Sequence, residues 1–80
     1  MKCKYFEGEE NIAPETAVEA RKLIGMKVKY LCSRDIDRSG RGYFFPRHGV
    51  IVEVLGREIA IDESGNFCID LGSLVEMVLV

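Results

Sequence analysis

The run from 34 to 48, Arg34-Asp35-Ile36-Asp37-Arg38-Ser39-Gly40-Arg41-Gly42-Tyr43-Phe44-Phe45-Pro46-Arg47-His48, holds the residue types best suited to recognition. Guanidinium forks grip carboxylates or phosphates with two parallel hydrogen bonds. Aromatic faces stack on bases or on proline rings. Arg34, Arg38, Arg41, Tyr43, Phe44, Arg47 and His48 are therefore the candidate binding residues. Exposed Arg38, Arg41 and Arg47 beside at least one exposed aromatic would make a contact surface. The competing reading is structural. In it Tyr43 and Phe45 fill the core, and the arginines pair with Asp35, Asp37 or the acidic C-terminal half.

Other chemistries fit the residues less well. Asp35-x-Asp37-x-Ser39-Gly40 resembles the opening of a calcium loop, with oxygens at alternate positions and a glycine for the turn. The position that should carry the bidentate glutamate is Pro46, and arginines interrupt the segment, so an Asx-type turn is the expectation. Cys3, Cys32 and Cys68 lie far apart, and no ligand pair is close in sequence as structural zinc sites require. Three reduced thiols are expected, with no metal and no cofactor. His48 has no evident nucleophile or orienting carboxylate, and no phosphate-loop or hydrolase motif occurs. The chain reads as non-enzymatic.

Charge is uneven along the chain. Lys27, Lys29, Arg34, Arg38, Arg41 and Arg47 make residues 25–48 basic, whereas Glu53, Glu58, Asp62, Glu63, Asp70 and Glu76 against Arg57 make residues 49–80 acidic. The net formal charge is −2. Nucleic-acid domains are usually strongly basic overall, so a protein partner is favoured and an RNA or DNA partner is the alternative. No apolar run approaches the ~18 residues of a membrane helix, and Lys2 and Lys4 precede no apolar signal core. A cytoplasmic location is expected, without membrane association.

These residues need a scaffold, and 80 residues suffice for one domain. Residues 1–13 read as a polar arm, loose or forming a short edge strand, and 14–80 as the domain. A helix is expected over 14–24. Pro14 suits a first turn, Glu15 and Glu19 precede Arg21 and Lys22 as the helix dipole favours, and Gly25 suits the position after the end. Ala13, Ala17, Ala20 and Ile24 share one face. From Met26 the apolar period becomes two, the signature of strands. Strands are expected around 26–30 and 49–55 (Val50, Val52 and Val54 on one face). Others follow around 58–62 and 67–71, and a last one over 74–80. Residues 32–42 read as a long loop. The expected core includes Val28, Val52, Ile59, Ile61, Phe67, Ile69 and Met77. Glu53, Glu58 and Glu76 are expected to point outward as solubilising charges.

The fold class is thus mostly β (α+β): about five antiparallel strands preceded by one short helix. A long first loop, a meander, one helical turn and a returning strand make residues 26–80 resemble an SH3-like small barrel. Within it, His48-Gly49-Val50-Ile51-Val52-Glu53-Val54 is similar to the KOW element, a glycine opening a β-branched strand in ribosome- and transcription-associated barrels. A split-barrel or OB-like arrangement is the alternative. The resemblance implies that the long loop and its neighbours line a binding face. Both faces of 74–80 are nearly apolar, so one must find cover. The 14–24 helix is favoured as that cover over another chain, and a monomer over a homodimer.

Overall fold

A computed structural model describes residues 2–39 and 46–80, with the side chains of 37–39 excepted. Five strands form one antiparallel sheet: β1 (Lys27–Cys32), β2 (Arg47–Leu55), β3 (Glu58–Asp62), β4 (Asn66–Asp70) and β5 (Leu74–Leu79). Their order is β4-β3-β2-β1-β5. The middle strands form a meander, a 3-10 turn at Leu71–Ser73 follows β4, and β5 returns beside β1. Among the described residues two helices accompany the sheet: α1 (Ala17–Arg21) before β1 and α2 (Ser33–Ser39) after it.

The sheet wraps around one apolar cluster. Val28, Tyr30 and Cys32 of β1 meet Ile51 and Val54 of β2, Ile59 and Ile61 of β3, Leu71 and Met77, with Ala20 of α1 against them. Strand alternation sends these side chains to one side of the sheet. The expected burial of Val28, Ile59, Ile61 and Met77 is observed, and Ile69 is half-buried against the cluster.

Two core expectations are corrected. The β2–β3 register shifts between Ile51 and Glu53. Such a bulge inserts one residue and reverses the facing of the residues beyond it. Ile51 and Val54 consequently both reach the core, and Val52 is 45% exposed. Phe67 does lie opposite Ile61, on the side of the core. It is nonetheless 48% exposed, because β4 is an edge strand and no described element lies beyond it.

The helix expected over 14–24 is shorter. Thr16 is extended (φ −128°, ψ 160°) and its hydroxyl accepts the Glu19 N–H, so the cap falls two residues after Pro14. From Lys22 onward the bonds tighten to i→i−3, and Gly25 turns the chain at φ +92°. Ala20 is buried as expected, but Ile24 at the loosened end is 46% exposed.

The loop expected over 32–42 is also corrected, because Ser33–Ser39 is helical. Asp35 Oδ2 accepts the Cys32 N–H at 3.0 Å. A carboxylate reaching back three residues satisfies a donor that the helix start leaves open, as in one half of a capping box. The aspartate therefore starts a helix where an Asx-type turn is expected.

The largest correction concerns Glu76, which is 5% exposed and faces inward between β5 and the N-terminal arm. Its Oε2 accepts the Lys4 N–H at 2.5 Å, and its Oε1 accepts those of Tyr5 (3.0 Å) and Phe6 (3.2 Å). Three backbone donors thus take the place of water around a charged group. Cys3 and Phe6 are drawn onto Leu31 and Val78, forming a second cluster on the outer face of β1 and β5. The arm, and not the 14–24 helix, therefore covers the outer apolar face of β5. The Lys29 ammonium lies 5.2 Å from the Phe6 ring centroid and 3.4 Å from Glu9.

Candidate functional site

Two of the candidate arginines come together at one corner of the sheet. Arg34 enters from the first turn of α2 and Arg47 from the start of β2. With Tyr30 and Cys32 of β1 and Phe67, Cys68 and Ile69 of β4 they line a cleft of about 170 Å³. Small-molecule sites usually enclose about 300–1,000 Å³, so this cleft suits a side chain of a larger partner better than a whole substrate.

Arg47 stands across the ladder from Tyr30, so the two side chains share the cleft side of the sheet. Its Nε donates to Asp35 at 3.3 Å. The side chain is about one-third exposed (35%), short of the free position expected for it. The same Asp35 that starts α2 thus anchors Arg47, and the bond leaves the Nη groups without an acceptor among the described residues. Arg34 is exposed. His48 pairs with Lys29, one position away from Tyr30–Arg47, and alternation places it on the opposite face. It is exposed but does not belong to the cleft. The side chain of Arg38, together with Arg41, Tyr43 and Phe44, lies outside the described residues.

Phe67, Cys68 and Tyr30 are cleft residues that residue type alone does not single out. Phe67 carries the strand signal that predicts burial, and only its place on an edge makes it a surface aromatic. The Tyr30 hydroxyl, at the cleft floor, donates to Glu63 Oε2 at 2.5 Å.

Burial pushes the Tyr30 pKa above that of an ordinary tyrosine, and the bond to the Glu63 carboxylate adds to the rise. Burial likewise raises the Cys32 thiol, with the Asp35 charge adding to it. Both groups are held protonated in the fold. Their stabilising contribution is complete below the ordinary values, about 8.5 for a thiol and 10 for tyrosine, and is lost as pH rises beyond them. Melting followed by circular dichroism should show a midpoint that falls increasingly from about pH 8.5 to beyond 10. Tyr30→Phe should fall less steeply above about pH 10. Equal slopes would show that Tyr30 ionises as freely in the fold as in the unfolded chain.

No family model, no curated protein and no solved structure matches the chain.

Proposed function

We propose that this chain is a small non-enzymatic binding module, and that its contact surface is the corner where Arg34 and Arg47 meet β4. The observation that carries the reading is the shared cleft. It sets an exposed Arg34, a half-buried Arg47 and a half-exposed Phe67 beside a strand edge. Arginine and large aromatics are the residues that most often anchor protein interfaces, and a protein is the favoured partner. The meander, the 3-10 turn and the return of β5 beside β1 support an SH3-like reading of the fold. The arm over Val78 supports a monomer, because it covers an apolar face that would otherwise seek a second copy. Three free cysteines support a cytoplasmic location.

The test compares the wild type with an Arg34→Ala/Phe67→Thr variant as bait in cell extract, at low and high salt. Arg34→Ala alone should change stability by no more than about 0.5 kcal/mol, the usual range for a surface position. Proteins retained by the wild type across the salt range should be lost by the double variant. Unchanged retention would remove this corner from the function. Retention of RNA or DNA that collapses as salt rises would favour the nucleic-acid alternative, since phosphate binding releases counterions.

A further inference from the structure

The fold finishes its two sheet edges differently. At the β5 edge, Ile12 N–H donates to Met77 O at 2.8 Å, and Met77 N–H donates to Asn11 Oδ1 at 3.1 Å. Residues 11 and 12 thus take the place a sixth strand would occupy. The β4 edge has no such cover among the described residues.

The phase of hydrogen bonding along β4 is set by the bonds that flank it. Leu71 N–H donates to Arg57 O, and Glu63 N–H donates to Gly65 O, both at 2.8 Å. Ile59 lies opposite Ile69 and Ile61 opposite Phe67, with no register shift. An antiparallel ladder alternates bonded and non-bonded pairs. The N–H and C=O groups of Phe67 and Ile69 are therefore turned to β3, and those of Asn66 and Cys68 point outward. Exposed edges are usually protected by lysine, proline or a bulge, and Asn66–Asp70 carries none of these.

We infer that β4 is a strand-addition site for an extended, acidic segment of a partner protein. This rests on the binding-module reading above. The segment pairs with the outward N–H and C=O groups of Asn66 and Cys68, as in other edge-strand complexes. Every second side chain of such a segment falls on the side of Phe67, Ile69 and Cys32, where an apolar residue is covered. A carboxylate on that same side meets Arg34, which has no acceptor among the described residues, and the Nη groups of Arg47. Charge thus selects the acidic occupant over a second copy of β4. Self-pairing about Cys68 sets the copy's Asp70 against Asn66, on the face opposite Phe67 and Ile69, and so brings no carboxylate to the arginine side.

The experiment follows amide hydrogen exchange of the full chain by nuclear magnetic resonance. The probe is the best binder from a displayed library of random peptides, about twelve residues long, long enough to form one added strand. In the free protein, the Asn66 and Cys68 amides should exchange at least about tenfold faster than those of Phe67 and Ile69. With peptide, Asn66 and Cys68 should slow by a similar factor, and the selected peptides should carry an acidic residue within an alternating apolar pattern. Arg34→Ala should weaken the peptide about tenfold by removing a charge-assisted bond. If Arg34, Arg47 and Phe67 resonances respond while the Asn66 and Cys68 amides stay fast, strand addition is wrong and the binding module stands. If no peptide engages the cleft, both fall. Protection of Asn66 and Cys68 in the free protein at every concentration would mean that the edge is already covered. Protection that grows with concentration would make a second copy the occupant. Either result overturns the inference.

Discussion

Removing the Glu76 side chain should cost the protein a large part of its stability. Glu76→Ala is expected to lower the unfolding free energy by about 4 kcal/mol, because three backbone donors lose a charged acceptor at about 1–3 kcal/mol each. Domains of this size have only about 5–15 kcal/mol in total. The lower half of the range applies here, since the donors of Lys4 and Tyr5 are partly buried and water can reach them once the arm loosens. Glu76→Gln should cost about 2 kcal/mol. Its one carbonyl oxygen can still accept from Tyr5 and Phe6, which share Oε1, but its amide then faces the Lys4 N–H. Urea unfolding measures both losses. Trypsin adds a local readout, because the bonds after Lys2 and Lys4 should become accessible once the arm is released. A control separates this buried anchor from surface charge. Glu9→Ala removes the exposed partner of Lys29 and should cost less than about 1 kcal/mol. If Glu76→Ala costs no more than Glu9→Ala, the arm contributes nothing and its docking is incidental.

A second large effect is expected from one added methyl group. At Gly49, in the first half of β2, a Cβ would lie 2.3 Å from the Ile61 side chain and 2.9 Å from the Asp62 carbonyl oxygen. Ile61 is fully buried and cannot turn away, and the other obstacle is backbone. Gly→Ala at an unstrained extended position ordinarily stabilises by about 0.4–1 kcal/mol, through the unfolded chain. Here the sign should reverse. Gly49→Ala should destabilise by about 3 kcal/mol, at the upper end of overpacking, because β3 must move away from its neighbour. Gly25 provides the comparison: it has φ +92° and open space around its Cβ position. Gly25→Ala should cost about 1 kcal/mol from backbone conformation alone. Thermal melts of the two variants give the order, and a milder loss at Gly49 than at Gly25 would refute the close approach.

The period-two runs by themselves determined the strands. Val28 and Tyr30 alternate with Lys27 and Lys29, and Ile59 and Ile61 lie within Glu58 and Asp62, a local pattern that needs no knowledge of what packs where. The turn residues between them determined the meander. A helix before β1 was legible from charge order and from Gly25, although the hydroxyl of Thr16 and not Pro14 placed its start. Of the candidate site, Arg34 and Arg47 were legible from residue type alone. Their neighbours Phe67 and Cys68 were not. Alternation says which side of a strand a residue occupies, but not whether anything covers that side. Phe67 is a surface residue because β4 is last in the sheet, and sheet order arises from pairings between distant segments. Val52 turns outward beside the inward Ile51, and Val54 turns inward because a bulge shifted the ladder, a choice made by β2 and β3 together. Glu76 shows the same limit most strongly. In the sequence it is one charge in an apolar run and reads as outward-facing. In the fold, backbone donors 70 to 72 positions earlier in the chain satisfy it. Nothing local to Glu76 can specify that, because hydrogen bonds can replace hydration only once the folded chain brings those donors to it.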